Sequence, residues 1–485
     1  MKIIILGGGQ VGAAIAKSLA TQSHNAITII DQDEAILHSL SEHLDIQTMW
    51  GSASSPTVLE EAGAHDAELL LALTHSDEAN LMACRLGKHI FNIPTRISRV
   101  RHSDMVEYIL PNKDKEDNTP HTALELFDAS DVICPEQLVT EQLLGLFQYG
   151  TALQVLNFAH GEAQMVATRA IKGGAMVGEI VKDLSIVLPE NTDCHIFAIY
   201  RNDSLISPTP QTKIIHGDEI FFTAAKDHVG RILALFHPEP LPVRRIMIVG
   251  GGNIGYRLAK QAESRFDVKI IERNQQRAEW LSENLTSTLV LAGSGTDEKI
   301  LGNEHIEDID VFCALTDDDE NNIMVALLAK KLGARRVVSI VNRASYVDLM
   351  QGNSIDIVVS PHLASVGSIL AHIRRGDIES VYSLRRGEAE ILEAVIHGTR
   401  KTSKIVGRPV SQIKWPHGCQ LAAVVRQQEI IKDPKKPEIK EQVIQVISGH
   451  KEPELQENDH LIFFIPNRRL IPELEKMLQV KLGFF

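Results

Sequence analysis

Short apolar runs alternate with longer amphipathic stretches through residues 1–132 and again through residues 243–359. In the first region Lys2–Leu6 and Ile27–Ile30 are runs of the buried-strand type, each followed by a predicted helix. Strands and helices that alternate in this way build a parallel, doubly wound sheet. We therefore predict a Rossmann-like α/β domain in each region.

The two regions are copies of one another. Gly250 matches Gly7 at an offset of 243 residues, and Ala314–Thr316 matches Ala72–Thr74 at an offset of 242. The match extends over the segment A-L-T-x-x-D-E-x-N, which occurs in both regions. A whole domain has been duplicated.

A smaller module follows each copy, over residues 151–237 and 378–485. Short apolar segments such as Phe197–Tyr200 predict the strands of a small α+β domain. Two aligned charged pairs relate the modules: Arg201 with Arg426 and Asp218 with Asp459. The predicted order is therefore A–B–A′–B′, with a proline-bearing linker between the halves at residues 238–242.

One helix is predicted between the A and B modules of each half, over residues 133–150 and 360–377. Pro135 and Pro361 suit the first position of a helix, and Ser360 suits the cap. The apolar positions that follow form one helical stripe in each case. Two interpretations stay open: each helix packs on its own domain, or each bridges to a neighbouring lobe.

Composition and charge exclude several classes of protein but do not indicate a specific function. The 485 residues carry a net charge of −14, which disfavours nonspecific binding to nucleic acid. The sequence has no run of about 18 apolar residues, so no membrane span is predicted. Met1 leads directly into a strand, which argues against a signal peptide. The five cysteines are scattered and form no C-x-x-C, so neither structural zinc nor a disulfide framework is expected. A reduced, cytoplasmic protein is predicted.

The chemistry suggested by the repeat lies in its glycines. The fingerprint G-x-G-x-x-G follows the first strand of each copy. Its glycines allow a tight turn and let the pyrophosphate of a bound nucleotide approach the backbone closely. The N-terminus of the following helix offers free N–H groups to that anion. The fingerprint residues are Gly7, Gly8, Gly9, Gln10, Val11 and Gly12 in the first copy, and Gly250, Gly251, Gly252, Asn253, Ile254 and Gly255 in the second.

An acid ends the second strand of each copy, where a carboxylate can accept hydrogen bonds from ribose hydroxyls. Asp31 lies 19 residues after Gly12, and Glu272 lies 17 residues after Gly255. A carboxylate at this position repels a 2′-phosphate, which favours NAD or another adenosine nucleotide over NADP. The alternative, an ordinary turn acid, loses weight because both copies agree.

Four further residues are predicted to line each pocket. Ser52 ends the third strand, Thr74 and His75 end the fourth, and Arg99 follows the fifth, all at the edge where open sheets bind ligands. The corresponding residues of the second copy are Ser294, Thr316, Asp317 and Arg343. A single arginine is commonly a solvated charge, so the phosphate-binding role of Arg99 and Arg343 stays open.

No catalytic machinery accompanies these pockets. A dehydrogenase needs a substrate domain with a proton donor or acceptor, and the B modules show no evident His/Asp/Arg cluster. His75 is the one histidine beside a pocket, and its counterpart is Asp317. Binding without turnover is the better prediction, and an NAD-dependent oxidoreductase with a duplicated Rossmann domain is the alternative. A scaffold with vestigial sites is a third hypothesis.

The chain resembles the TrkA family of tandem RCK-N/RCK-C proteins over nearly its full length. The resemblance rests on the glycine strands, on the two A-L-T-x-x-D-E-x-N segments, and on Met247–Gly255, Tyr346–Gly352 and Ser383–Gly387. Members of this family are cytoplasmic regulatory subunits of the bacterial Trk potassium uptake system.

The resemblance implies a nucleotide-sensing role. The RCK-N lobes would bind NAD(H) or ATP/ADP, the RCK-C lobes would help to form the assembly, and the expected assembly is a homo-oligomeric ring, a tetramer. That ring would lie on the inner face of the cell membrane beneath a potassium transporter subunit of the TrkH type. Family nucleotide positions fall on Gly7 to Val11, Asp31, Thr74, His75 and Arg99, and in the second copy on Gly250 to Ile254, Glu272, Thr316, Asp317 and Arg343. The chain departs from the family at Ser52 and Ser294, where many RCK lobes carry an aspartate, which removes a negative charge near the adenine or ribose.

Overall fold

The computed structural model describes residues 1–20, 25–102, 105, 127–188, 192–239, 242–343, 346, 355–374, 377–384, 389–431 and 440–479. Residues 240–241 of the predicted linker lie outside these ranges. The chain divides into two compact units, the first made of Met1–Thr140, Gly251–Arg257 and Ser360–Leu370, the second of Glu141–Gly250, Leu258–Val359 and Ala371–Phe485. The domain boundaries given above stay predictions.

The first A module is a doubly wound sheet, as predicted. Its six parallel strands have the order β3-β2-β1-β4-β5-β6, which is the Rossmann order. The strands are β1 (Lys2–Leu6), β2 (Ala26–Asp31), β3 (Gln47–Trp50), β4 (Leu69–Ala72), β5 (Thr95–Arg99) and β6 (Asp131–Ile133). The helices are α1 (Gln10–Ala20), α2 (Glu34–His43), α3 (Pro56–Glu61) and α4 (Asp77–His89).

Burial and capping explain why these segments form. Ile3 to Leu6 of β1 are fully buried because the strand is central and covered on both faces. Asp33 caps α2 by accepting the N–H groups of Ala35 and Ile36, and Ser76 caps α4 in the same way. Helix starts are thereby fixed at the sheet edge where the predicted site lies.

Helix α5 (Pro135–Gln148) follows this module. At its C-terminal end the ring of Phe147 meets the ring of Phe266 edge to face, with centroids 5.9 Å apart. Phe266 belongs to the second A module, so this contact favours the bridging interpretation of the helix.

The first B module is an antiparallel sheet with the order β10-β9-β11-β8-β7. Its strands are β7 (Ala152–Phe158), β8 (Ala163–Arg169), β9 (Cys194–Arg201), β10 (Ser204–Ile206) and β11 (Glu219–Ala225). Its helices are α6 (Leu184–Val187) and α7 (Lys226–Leu233).

The second A module repeats the first, with the order β14-β13-β12-β15-β16-β17. Its strands are β12 (Arg245–Val249), β13 (Asp267–Glu272), β14 (Leu289–Ala292), β15 (Val311–Ala314), β16 (Arg336–Ile340) and β17 (Ile357–Val359). Its helices are α8 (Asn253–Ala262), α9 (Gln275–Asn284), α10 (Glu298–Asn303) and α11 (Asp319–Lys331).

Helix α12 (Pro361–Ile373) leads to the second B module. This sheet has the order β18-β19-β22-β20-β21, which reproduces the topology of the first B module strand for strand. Its elements are β18 (Ile378–Leu384), β19 (Ala389–Val395), β20 (Gln420–Ile431), β21 (Lys440–Ser448), β22 (His460–Ile465) and α13 (Ile471–Leu478).

The two B modules share one hydrophobic core. Buried side chains of both sheets form a single cluster, which includes Phe158 and Phe197 of the first module and Phe464 of the second. The rings of Phe197 and Phe464 lie 5.2 Å apart. The B modules therefore pack as a pair, because neither sheet alone covers these faces.

The aligned charges of the B modules form equivalent ion pairs on buried carboxylates. Arg201 donates two hydrogen bonds of 2.8 Å to Asp218, and Arg426 donates two of 2.7 Å to Asp459. Both carboxylates are buried, and each also accepts a backbone N–H. The sequence alignment of these pairs thus reflects one structural device used twice.

Within the described part of the chain, every helix is too short or too polar to span a membrane.

Candidate nucleotide-binding sites

The first glycine loop is held tightly where β1 gives way to α1. Gly7 has a left-handed φ of 100° and donates its N–H to Ile30 O at 2.8 Å. A Cβ at Gly7 would lie 3.0 Å from Leu73 O, and a Cβ at Gly12 would overlap the carbonyl oxygen of Gly7. These two glycines are therefore required by the turn and by its packing.

Gly9 differs from its neighbours in the loop. A Cβ at Gly9 would meet no protein atom within 4 Å, and its backbone is not left-handed. The fold itself does not need a glycine at this position. An open face beside a helix N-terminus is what a pyrophosphate requires for close approach to the backbone.

Asp31 fastens the glycine loop to the end of β2. Its carboxylate accepts the N–H of Gly8 at 2.6 Å and the N–H of Asp33 at 2.9 Å. Each carboxylate oxygen has a second lone pair, so both can still accept a ribose hydroxyl. Asp31 therefore has two tasks: it supports the loop and leaves an acceptor beside it.

The carboxyl end of β4 is organised by a buried asparagine that the sequence analysis did not assign to the site. Asn80 accepts the N–H of Thr74 at 2.9 Å and its hydroxyl at 2.7 Å, and donates to Thr74 O and Arg99 O. Asn322 makes the same four hydrogen bonds around Thr316 in the second copy. The repeated A-L-T-x-x-D-E-x-N segment was the signal that could have identified both asparagines.

Arg99 lies at this same edge. Its Nη2 donates to Thr74 O at 2.8 Å, and its Nε is buried without a hydrogen-bond partner. Burial lowers the pKa of Arg99 from its usual value, as expected when a cation loses water. The guanidinium is therefore a partly desolvated positive charge, which an anion at the sheet edge would stabilise.

Two further predicted residues of the first copy lie on the surface of the same edge. His75 is exposed. Ser52 is half-buried, with its hydroxyl 3.3 Å from that of Ser54. Beside them, Trp50 is 62% exposed, and its indole N–H donates to Gln32 O. No sequence motif marks this tryptophan, although it pairs with Asp31 in the sheet.

The second copy repeats the supports of the first. Gly250 has a φ of 104° and donates its N–H to Ile271 O at 2.9 Å, and a Cβ there would lie 2.8 Å from Leu315 O. Glu272 accepts the N–H of Asn274 at 2.7 Å, much as Asp31 accepts that of Asp33. Like Gly9, Gly252 has open space where a Cβ would lie.

The other predicted residues of the second copy are placed as follows. Gly251, Asn253, Ile254 and Gly255 belong to the first compact unit, where α8 begins at Asn253. Asp317 is exposed. Ser294 lies after β14, with its hydroxyl 2.8 Å from that of Thr296.

The expected pairing of Arg99 with Arg343 is not found. Leu69 pairs with Thr95 in the first sheet, and its counterpart Val311 pairs with Arg336 in the second. Thr95 and Arg336 are therefore equivalent, and four residues further along each strand Ile340 is the counterpart of Arg99. Arg343 instead bonds Glu320 at 2.8 Å and the Tyr346 hydroxyl at 3.0 Å. These bonds raise the pKa of Arg343.

The reason for the mismatch is a change of offset. The repeat shifts from 243 residues at the glycine loop to 241 at the fifth strand, so a fixed offset misaligns single residues. The second sheet thus has the neutral Ile340 at the position where the first sheet carries the positive charge of Arg99.

Comparison with protein families agrees with the duplicated architecture. The TrkA-N domain model matches residues 3–112 and 246–361, and the TrkA-C domain model matches residues 166–237. These matches coincide with both A modules and with the first B module.

Full-length relatives extend the similarity to the whole chain. The Trk system potassium uptake protein TrkA of Halomonas elongata is 42% identical over 485 residues, which is 100% of both chains. The protein of the same name from Vibrio alginolyticus is 42% identical over 479 residues, 99% of each chain.

Solved structures show the same fold at low sequence identity. The RCK domain of GsuK superposes with a TM-score of 0.59 at 18% identity, covering 98% of this chain and 94% of that one. The GsuK channel bound to NAD superposes with a TM-score of 0.58 at 18% identity, covering 98% of this chain and 78% of that one.

Proposed function

Because the chain belongs to the TrkA family, we propose that it is a nucleotide-sensing regulatory subunit of a membrane potassium uptake system. Support comes from relatives of the same length that carry the name Trk system potassium uptake protein. The observation that carries the proposal is the glycine loop of the first copy, whose open Gly9 and supporting Asp31 suit a bound nucleotide.

The proposed first site runs along the carboxyl edge of the first sheet. The pyrophosphate would lie over Gly9 at the start of α1, and the adenosine ribose would bind Asp31. Thr74 and Arg99 would meet the distal part of the ligand, where the partly desolvated guanidinium favours negative charge. The remaining contacts are proposed for Gly7, Gly8, Gln10, Val11, Gly12, Ser52 and His75.

A second site is proposed from the repeated sequence pattern. Its residues are Gly250, Gly251, Gly252, Asn253, Ile254, Gly255, Glu272, Thr316, Asp317 and Arg343. Since Ile340 replaces the charge of Arg99, we expect the two sites to differ in their preference for highly charged nucleotides.

The proposed ligand is NAD(H), with ATP or ADP as the alternative. The carboxylates Asp31 and Glu272 disfavour a 2′-phosphate, which argues for NAD(H) over its phosphorylated form. The fold is shared with the GsuK channel, which has been solved bound to NAD. Catalysis is not part of the proposal, because His75 has no equivalent histidine in the second copy.

Regulation would follow from differential binding. A nucleotide that binds one conformation of the assembly more tightly shifts the population towards it. A complete switch between two conformations, from a ratio of 1:99 to 99:1, needs a difference of about 10⁴ in affinity for the nucleotide. Several sites in one assembly can together supply this difference. The proposed assembly is a tetrameric ring on the cytoplasmic face of the membrane, bound to a potassium transporter subunit of the TrkH type.

The test combines binding with turnover. Purified protein is titrated with NADH and with ATP, and the same samples are followed for NADH oxidation and for phosphate release. Saturable, stoichiometric binding without turnover is expected. Sustained hydride transfer to an added substrate would support the oxidoreductase instead.

A potassium-uptake assay in cells tests the proposed regulatory role of the chain. Cells that lack their own Trk regulatory subunit are supplied with this chain or with its Gly9→Ala variant. Uptake should be restored by the unaltered chain and should lose its nucleotide dependence in the variant. Equal uptake with and without the chain would contradict the proposal.

A further inference from the structure

Four side chains of metal-ligand type lie where the two B modules meet. Glu379, Glu393 and His460 of the second module have ligand atoms within 4.8 Å of one another, and the ring of His160 of the first module lies against that of His460. His460 Nδ1 lies 2.7 Å from a carboxylate oxygen of Glu393 and 3.9 Å from one of Glu379. The rings of His160 and His460 meet edge to face, with centroids 5.9 Å apart and planes at 76°.

The central carboxylate is held in place by both modules. Glu393 is buried on β19, where one oxygen accepts the N–H of Ala159 at 2.8 Å and the other accepts the hydroxyl of Ser380 at 3.0 Å. Such outer hydrogen bonds orient a metal-binding carboxylate in known metal sites. They would remain in place if a cation replaced the proton between Glu393 and His460.

The first module presents His160 on an unusual turn. Ala159 and His160 both have left-handed φ values, 48° and 57°, which cost free energy for residues with a side chain. The hydrogen bond from Ala159 N–H to Glu393 stabilises this turn. One consequence is that the exposed imidazole of His160 lies against His460, the partner of the buried Glu393.

The two separations measured from His460 Nδ1 bracket that expected for ligands of a small tetrahedral ion. Zinc binds histidine nitrogen and carboxylate oxygen at about 2.0–2.2 Å, so tetrahedral ligand atoms lie about 3.4 Å apart. The observed 2.7 Å and 3.9 Å lie on either side of that value. Two neutral imidazoles and two carboxylates also balance the charge of a divalent cation. Nitrogen ligands favour zinc over magnesium or calcium.

A second histidine pair in the same interface provides a contrast. The rings of His195 and His450 lie 5.4 Å apart, but His195 Nδ1 contacts Ala422 O. The nearby carboxylate of Asp193 is occupied by Lys451 at 3.1 Å and by the N–H of Ser448. The carboxylate beside this pair is already paired with Lys451, so the pair serves as a natural control.

We propose that His160, Glu379, Glu393 and His460 form a zinc-binding site that fastens the first B module to the second. Zinc would displace one proton from between His460 and Glu393 and would release it to solvent. Glu379, 41% exposed, and the exposed His160 are the groups through which the ion enters.

The experiment uses the untagged full-length chain, freed of metal with EDTA and dialysed. It is titrated with Zn²⁺ by calorimetry, and with Co²⁺ while the visible absorption of tetrahedral cobalt is recorded. We expect one ion per chain and an intense tetrahedral cobalt spectrum. His160→Ala and Glu379→Gln should each weaken binding at least about tenfold, since each removes one ligand.

The matched control is His450→Ala, which removes an exposed histidine from the other ring pair. It should bind Zn²⁺ like the unaltered chain. Circular dichroism of each metal-free variant establishes that the fold is retained, because both ligand substitutions are at accessible positions. The proposal is overturned if the unaltered chain takes up no zinc, or if His160→Ala and Glu379→Gln both bind it with unchanged affinity.

Discussion

Replacing Gly9 by alanine separates the needs of the fold from those of the ligand. A Cβ at this position meets no protein atom within 4 Å, and the backbone is not left-handed. The free energy of unfolding should therefore change by no more than about 0.5 kcal/mol. The same methyl group would occupy the face over which the pyrophosphate is proposed to pass.

The expected loss of affinity follows from that overlap. Forcing one extra methyl group against a well-packed partner costs about 1–3 kcal/mol, and each 1.4 kcal/mol corresponds to about a factor of ten in affinity. Nucleotide binding at the first site should therefore weaken by about 5- to 150-fold. Gly252→Ala should have the same effect on the second site, because it is equally open.

The assay is calorimetric titration with NADH, combined with thermal unfolding without nucleotide. Gly230→Ala is the matched control, because its Cβ also meets nothing within 4 Å and it lies on α7, outside the glycine loops. It should leave affinity unchanged and raise stability by up to about 1 kcal/mol, because alanine is the better helix former. If Gly9→Ala binds NADH within twofold of the unaltered chain, the pyrophosphate does not pass over Gly9 and the proposed geometry is wrong.

Three further substitutions test the supports of the fold. Gly12→Ala should destabilise the first A module by more than about 3 kcal/mol, because its Cβ overlaps the backbone of Gly7; a normal urea midpoint would contradict this. Asn80→Ala removes four buried hydrogen bonds at the carboxyl edge and should cost about 3 kcal/mol by denaturant unfolding, with a cost under 1 kcal/mol refuting the assigned role. Asp459→Asn leaves the buried Arg426 without its anion, so a loss of about 3–5 kcal/mol is expected, and an unchanged melting temperature would show that the pair contributes nothing.

The sequence predicted those features of the fold that local patterns encode. Alternating strands and helices gave both Rossmann-like sheets, and the alignment of Arg201 with Arg426 anticipated two equivalent ion pairs. The positive φ values of Gly7 and Gly250 follow directly from the fingerprint. These features depend on residues close together in the chain or on exact repetition.

Features that depend on distant contacts were not predicted. The shift in offset between the repeats hid the replacement of Arg99 by Ile340, since one residue of slip changes which side chain reaches the sheet edge. The contact of His160 with His460 joins residues 300 positions apart. No periodicity within either segment signals it, because it arises only when the two B modules pack together.

The central claim is that each glycine loop binds one nucleotide, and calorimetric titration tests it most directly. NAD, NADH, ATP and ADP are titrated into the unaltered chain and into its Asp31→Ala and Glu272→Ala variants. The account predicts two sites per chain for at least one nucleotide, with one site lost or weakened at least about tenfold in each variant. The claim is contradicted if none of the four nucleotides binds, or if binding is unchanged in both variants.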